Sequence, residues 1–383
     1  VKIINVYNGD FINTSQGGGM RYLRDLMLAQ HRKGYEIELL AVGTGTPRKI
    51  DIEGASVTYV PISPTLHWPT FLLFLFWHLI KNGSSYCNHI VHLHRVYFAP
   101  PFRLLVRNAH IVVTIHSKTF SVITERYRFM ETLLPQMLTG EKFLLHTCID
   151  EVSTAGDYAT ELYSQRHNLE KESIIPLRCP SLMRSDSNTH PALTGDQRRN
   201  ILCVGRIAAV KRPLSALELF YRAIQKYPEI ATTHRIIYVG DGEDRKKLEE
   251  TISELHMEND AILLGSVPSD QMPQIYAGGC CLVLLSSSEV APFTVKEALT
   301  AGLPVFATNV GIVAEYVPPK CGVVISVEAP ETQSNAFLAF INHKYSKDDC
   351  MEHARKIREK EQMQFEAGLD KLYRHKPSSN NLN

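Results

Sequence analysis

The chain lacks an apolar run long enough to cross a bilayer: its most hydrophobic stretch, FLLFLFWHLI from Phe71 to Ile80, has roughly half the required length and is broken by His78. Two readings of that stretch stand, a helix buried in a core or an interfacial helix that sets aromatic rings among lipid headgroups. Neither sign of charge is in excess, with 41 Lys and Arg against 40 Asp and Glu, and no basic run is interleaved with aromatics, so nucleic acid is not an expected partner. The eight cysteines form no CxxC pair, and Cys203, Cys280, Cys281 and Cys321 stand in apolar runs. They read as reduced packing thiols, which excludes a disulfide framework and leaves no basis for a metal site. The opening residues VKIINVYNGDF enter an alternating apolar strand with no basic and long apolar leader, which points to a cytoplasmic protein. No repeat of solenoid length and no low-complexity tract occurs.

What the chain does have is enough apolar residues, 44% of 383, for two cores. Strand-like and helix-like runs alternate in both halves, the pattern of two parallel, doubly wound α/β sheets. The first half places strands near Lys2–Tyr7, Glu36–Val42, Val57–Val60, His89–Leu93, Ile111–Ile115 and Glu151–Ser153, and a helix from Met20 to Lys33 with Leu23, Leu26, Met27 and Gln30 on one face. The polar stretch RSDSNTHPALTGDQRRN, from Arg184, has no apolar period and reads as a linker. The expected division is a first domain over 1–183, a linker over 184–199, a second domain over 200–360, and a C-terminal helix and tail over 361–383. Within the second domain strands are expected at Asn200–Val204, Arg235–Val239, Ala261–Leu264, Leu282–Leu285 and Leu303–Ala307, with helices around Leu214–Tyr227 and Asp244–His256.

Chemistry-bearing residues gather at the carboxyl ends of these strands. Glu289 and Glu297 stand with seven residues between them in SSSEVAPFTVKEALTAGLPV, where Pro292 precedes a helix that begins near Phe293. Such a helix start leaves unpaired N–H groups and a partial positive charge, which suits a phosphate next to Phe293 and Thr294. Glu297, one turn in, is placed to accept from a ribose diol, and Glu289, on the preceding loop, from a hexose; alone, either glutamate also reads as solvated helix surface. VGRIAAVKRP puts Arg206 and Lys211 just past a strand end, where a planar fork and a movable ammonium together suit a diphosphate. YVGDGEDRKKL brings Gly240 and Gly242 to another strand-to-helix turn, with Asp241, Glu243 and Asp244 as helix-start carboxylates. Gly17, Gly18 and Gly19 lie between the first strand and first helix, an anion cradle or a flexible turn. His116 follows an apolar strand directly and is placed to donate to a sugar hydroxyl or to be a packed strand-end histidine. His92 and His94 alternate in a strand and read as structure.

In order along the chain, these segments resemble the retaining glycosyltransferases of family 4, which have the two-domain GT-B fold. VGRIAAVKRP resembles that family's VGR-x4-K signature, YVGDGEDRKKL its GxG-x5-L turn, SEVAPFTVKEALTAGLPV its SE-x2-P-x4-EA-x3-G-x-PV block, and Gly311 with Glu315 its G-x3-E element. The glycine loop, TIHS, EVSTAGDYATELY and the closing QFEAGLDKLYR extend the likeness over most of the chain. Three positions depart: Val290 stands where Gly is common, Gly311 lacks a preceding glycine, and RCPS replaces NGVD.

The resemblance implies two Rossmann-like domains facing across a cleft, a C-terminal helix crossing back to the first, and catalysis without a metal or cofactor. It implies that Arg206 and Lys211 bind the donor diphosphate, Glu297 the ribose and Glu289 the transferred sugar, with His116 near that sugar's outer hydroxyls and Gly18, Gly19, Gly240, Pro292, Phe293 and Thr294 around the donor. The implied partners are a nucleoside-diphosphate sugar and a glycan or lipid-linked glycan acceptor of bacterial surface polysaccharide, with peripheral membrane contact through the first domain. A nucleotide-sugar epimerase and a non-catalytic carbohydrate-binding protein are the alternative readings.

Overall fold

The computed structural model describes residues 1–11, 18–116, 134–180, 183, 186, 188–329 and 332–374. Gly17, Ser181 and the tail beyond Arg374 lie outside them. The chain divides into two compact units, one of Val1–Ser15, Gly19–Cys179 and Glu361–Asn383, the other of Gln16–Gly18 and Pro180–Lys360.

The first unit runs β1 (Lys2–Tyr7), α1 (Gly18–Arg32), β2 (Glu36–Val42), β3 (Arg48–Ile52), β4 (Ala55–Ser63), α2 (Trp68–Asn82), β5 (Ile90–Leu93), α3 (Ala99–Leu105), β6 (His110–Ile115), α4 (Leu134–Thr147), β7 (Glu151–Thr154), α5 (Asp157–His167) and β8 (Ile174–Pro176). Its eight-stranded sheet has the order β3-β4-β2-β1-β5-β6-β7-β8, parallel except for the β3–β4 pair. Helices cover both faces, so β1 buries Ile3, Ile4, Asn5 and Val6 in succession instead of alternating. Leu23, Leu26, Met27 and Gln30 are buried along α1, as the periodicity predicts.

The second unit runs β9 (Arg199–Val204), α6 (Pro213–Lys226), α7 (Glu229–Thr233), β10 (His234–Val239), α8 (Arg245–Glu254), β11 (Ala261–Gly265), α9 (Met272–Ala277), β12 (Gly279–Leu284), α10 (Phe293–Thr300), β13 (Val305–Thr308), α11 (Val313–Tyr316), β14 (Gly322–Ile325) and α12 (Ser334–Asn342); α13 (Lys347–Leu372) carries the chain from this unit into the residues of the first. Its six strands are all parallel in the order β11-β10-β9-β12-β13-β14. In both sheets the chain leaves the first strand to build one side and returns to build the other. This creates a topological switch point, between β1 and β5 in one sheet and between β9 and β12 in the other, and ligands of open α/β sheets bind outside the strand ends there.

Several expectations need correction. The stretch from Phe71 to Ile80 belongs to a longer helix, α2, that is neither wholly buried nor spanning: Phe71, Leu75 and Leu79 are buried, whereas Leu73, Phe74, Trp77 and Ile80 are 64%, 43%, 62% and 51% exposed. A run that is apolar on every side carries no period, so its direction of burial was invisible. The β3–β4 hairpin, β8, β14 and the short helix α9 were not foreseen, being brief or flanked by weak turn signals. The supposed linker packs on the second unit from Asn188 onward: the His190 amide donates to the Gln274 carbonyl, Leu193 is buried, and Arg198 bonds Asp196 and Asp260.

Candidate active site

In the second unit the loops after β9 and β12 are stitched together at the switch point. The Ser287 amide donates to the Val210 carbonyl at 2.8 Å, and Lys211 Nζ lies 2.5 Å from Glu289 Oε1, which also accepts from Ser286 Oγ at 2.6 Å. The pair is partly buried, with 26% of the Lys211 side chain and 11% of the Glu289 side chain exposed. Thr308 Oγ1, at the end of β13, donates to the Ser286 carbonyl at 2.6 Å. Gly311 has φ +57°, and a Cβ there would lie 2.3 Å from the Glu289 carbonyl oxygen. The loop that carries Glu289 is therefore braced by both neighbouring strand ends.

Arg206 follows the same strand end but turns to Glu243, with Nε 2.8 Å from Oε2 and more than half of its side chain exposed. Gly240 is placed otherwise than a phosphate cradle requires: its amide donates to the Gly265 carbonyl at 2.8 Å. What it supplies is space, since at φ +137° a Cβ would sit 2.0 Å from the Gly205 carbonyl oxygen. Gly242 likewise abuts the Ile207 carbonyl, so the two glycines hold the Arg206 loop against the end of β10.

Helix α10 begins at Phe293 after Pro292 in extended geometry, and its first-turn amides point toward the loop that carries Glu289. Thr294 Oγ1 in that turn is buried with no hydrogen-bond partner among the described residues. Glu297 is 3% exposed and accepts from the Tyr276 hydroxyl at 2.7 Å, which fixes its carboxylate. Lys296 is buried with Nζ 4.6 Å from the Phe293 ring centroid. The helix ends where expected: Gly302 adopts φ +79° and the Leu303 amide reaches back to the Ala298 carbonyl at 2.8 Å.

In the first unit His116 stands at the end of β6, but its ring is engaged. His92, His94 and His116 form a stack with successive centroids 4.9 and 5.1 Å apart, and His94 Nδ1 is 2.8 Å from His116 Nε2. Below it, Gln30 Nε2 donates to the Tyr373 hydroxyl, which lies 2.6 Å from His92 Nδ1, and His92 Nε2 is 2.7 Å from Thr114 Oγ1. Thr114 Oγ1 is in turn 2.5 Å from Ser153 Oγ, whose proton goes to the Val113 carbonyl. That terminal acceptor sets the direction of the chain: Thr114 donates to Ser153, His92 Nε2–H donates to Thr114, and Tyr373 donates to His92 Nδ1. Burial drives His92 down to about 3, with His116 adding to the effect, and burial with the Arg95 guanidinium drives His116 to about 3. Both rings are neutral at physiological pH. Gly18 opens α1 and Gly19 follows it; a Cβ on Gly19 would lie 3.0 Å from the Tyr7 hydroxyl, so this turn also depends on close approach.

The structure thus brings Lys211 to Glu289 and sets Glu297 one turn behind them, while Arg206 has a different acidic partner. Motif reading missed Ser286 and Tyr276, which orient the two glutamates, and His94 and Arg95, which flank His116. A serine just past a strand end and a cation closing an apolar strand were the available signals.

Residues 187–357 match the family model described as glycosyl transferases group 1, and residues 17–178 that of a glycosyl transferase 4-like domain. A sulfoquinovosyl transferase of Arabidopsis thaliana is 28% identical over 221 residues, 55% of this chain but only 38% of that protein. The structure is similar to sucrose-phosphate synthase from Thermosynechococcus elongatus, with a TM-score of 0.76 at 18% identity over 98% of each chain. It is similar also to HepE of Anabaena, solved with UDP and glucose, with a TM-score of 0.69 at 16% identity over 97% of this chain and 99% of that one. Two Rossmann-like units in this arrangement of strands are the GT-B fold.

Proposed function

Because the chain belongs to the GT-B-fold glycosyltransferases, we propose that it is a retaining, metal-independent hexosyltransferase that moves a sugar from a nucleoside diphosphate to a glycan or lipid-linked glycan. The observation that carries this reading is the Lys211–Glu289 pair at the switch point of the second sheet. A cation and a carboxylate in contact are what a sugar diphosphate needs on its two sides.

On donor binding the diphosphate takes Lys211 from Glu289 and Arg206 from Glu243. The Arg206 pair is exposed and worth about 1 kcal/mol or less, so exchanging it costs little. Glu289, released, accepts hydrogen bonds from the hydroxyls of the transferred sugar, and Glu297, oriented by Tyr276, accepts from the ribose. Pro292, Phe293 and Thr294 present the start of α10 to the phosphates, Gly240 keeps the Arg206 loop in place, and Gly18 and Gly19 open the α1 terminus to the donor. As the glycosidic C–O bond breaks, negative charge grows on the departing diphosphate, and the two cations and the helix start stabilise it. The acceptor hydroxyl attacks the oxocarbenium-like centre from the face the diphosphate leaves, which retains configuration, and its proton passes to the leaving phosphate. His116, neutral, hydrogen-bonds an outer hydroxyl of the sugar.

The HepE structure with UDP and glucose supports a nucleoside-diphosphate sugar as the donor class. The exposed face of α2 supports peripheral contact at the inner face of a plasma membrane, in line with a lipid-linked acceptor and a place in bacterial surface-polysaccharide assembly. A screen of nucleotide sugars against glycan and lipid-linked acceptors tests the reading. Acceptor-dependent nucleotide release, with a product whose anomeric proton coupling matches the donor's configuration, is expected. Donor conversion with no acceptor product would favour an epimerase, and no turnover under any pairing a binding protein.

A further inference from the structure

The first sheet has a switch point of its own, between β1 and β5, to which the transferase chemistry above assigns no charged group. Arg95 stands there, two residues past the end of β5. Among the described residues it makes no ion pair, and its Nε is buried with no hydrogen-bond partner. Its guanidinium acts electrostatically on Tyr7, His94, Tyr97 and His116, and of these Tyr7 meets His94 edge-on with centroids 5.9 Å apart while His94 stacks on His116 at 5.1 Å. None of them balances its charge. The histidines are neutral, and burial holds both phenols above their ordinary range, so they are protonated and able to donate.

The sequence around this cation is bare of acid: no Asp or Glu occurs between Glu53 and Glu125. Glu141, which acts on Tyr97 from α4, lies against His167 with Oε2 3.1 Å from Nε2, neither atom in hydrogen-bond geometry, and makes no ion pair with Arg95. A half-buried guanidinium with no counter-ion among the described residues is costly, and an anion that arrives from outside would compensate it. Its planar fork matches the two oxygens of a carboxylate or phosphate, and the hydroxyls of Tyr7 and Tyr97 are further donors within its electrostatic reach.

We propose that Arg95, with Tyr7 and Tyr97, forms an oxyanion subsite at the switch point of the first sheet, and that it takes a carboxylate or phosphate carried by the acceptor. The acceptor assignment rests on the transferase reading; the subsite itself does not. It makes the acceptor acidic, either a uronic-acid glycan or a sugar or lipid phosphate. His94 supports the arrangement. Its Nε2 is buried without a partner, a lesser cost for a lone pair than for an N–H, so His94 carries its proton on Nδ1 and donates to His116 Nε2. His116 then keeps its own proton on Nδ1, as a hydrogen-bond donor.

Ligand-observed NMR titration of the full chain with methyl β-glucuronide, inorganic phosphate and uncharged methyl β-glucoside tests the subsite, on wild type, Arg95→Gln and Arg95→Lys. At least one oxyanion should bind about tenfold or more tighter than the glucoside, Arg95→Gln should remove that margin, and Arg95→Lys should restore part of it. Preference for glucuronide assigns a uronic-acid acceptor, preference for phosphate a phosphorylated one. UDP, GDP or ADP affinity should be unchanged in Arg95→Gln and lost in Lys211→Ala. Oxyanions that bind no better than the glucoside, or equally well to wild type and Arg95→Gln, overturn the proposal, and so does a loss of nucleotide affinity in Arg95→Gln as large as the loss of oxyanion affinity. Oxyanion binding through Arg95 in a protein that binds no nucleotide would overturn the transferase reading and leave the subsite standing.

Discussion

Single residues here owe their roles to what burial does to their protons and their backbones. His92 and His116 ordinarily titrate near 6.5 and are held near 3 in the folded protein. Between those values the unfolded chain binds protons that the folded chain refuses. Their contribution to stability is therefore whole above about pH 6.5 and falls as the pH drops toward 3, by up to about 1.4 kcal/mol per pH unit for each ring. Urea titrations of the first unit's transition from pH 4 to 7 should show this slope, and His92→Gln should flatten it; identical slopes would refute the assignment. The site should also show no ionisation of His116 in its rate profile over that range. Gly240→Ala, forced against the Gly205 carbonyl at an unfavourable φ, is expected to cost on the order of 2 kcal/mol or more and to weaken nucleotide binding with it, as read by thermal unfolding and titration. At this scale motif spacing singled out Lys211, Glu289 and Glu297 as candidates, and the structure brings the first two into contact. Arg95 and His94 were not singled out, because an alternating strand end gives no sign of which side chain will lack a partner.

Among the elements, α2 departs furthest from its sequence reading. It packs through Phe71, Leu75 and Leu79 and presents Leu73, Phe74, Trp77 and Ile80 outward, on a helix with no acidic residue and Lys81 in its last turn. A contiguous apolar face of this kind marks an interaction surface. Replacing Leu73 and Trp77 by Ser should leave folding stability within about 0.5 kcal/mol per site, since neither is buried, yet reduce co-sedimentation with vesicles that contain anionic phospholipid. Equal sedimentation of variant and wild type would remove α2 as the membrane face. No described helix is long and apolar enough to cross a bilayer. Strands and helices whose apolar residues follow a 2.0 or 3.6 period, such as α1, were placed within a residue or two. The helix α2, whose apolar residues surround the axis, and the brief strands β8 and β14 were not, although the four-residue strands β5, β7 and β13 were.

For the whole molecule, the two units are not two consecutive stretches of chain. Glu361–Asn383 belongs to the first unit, and there Phe365, Leu369, Leu372 and Tyr373 are buried, with the Tyr373 hydroxyl in the Gln30–His92 chain. Ending the chain after Lys360 should expose those contacts, so amide exchange should lose protection in β1, α1 and β5 while β9 to β14 keep theirs. Uniform protection would show that the last residues are dispensable. The expected segmentation into doubly wound halves could be read from strand–helix alternation, whereas the return of the last helix to the first unit was expected only from the family resemblance of QFEAGLDKLYR, since its contacts join residues hundreds of positions apart. The central claim is that the switch point of the second sheet grips a diphosphate through Lys211. Its most direct test is calorimetric titration with UDP, GDP and ADP on wild type and Lys211→Ala. The account predicts that one nucleotide binds preferentially and that binding falls by more than about tenfold in the variant; nucleotide binding that is absent, or that is unchanged by Lys211→Ala, would contradict it.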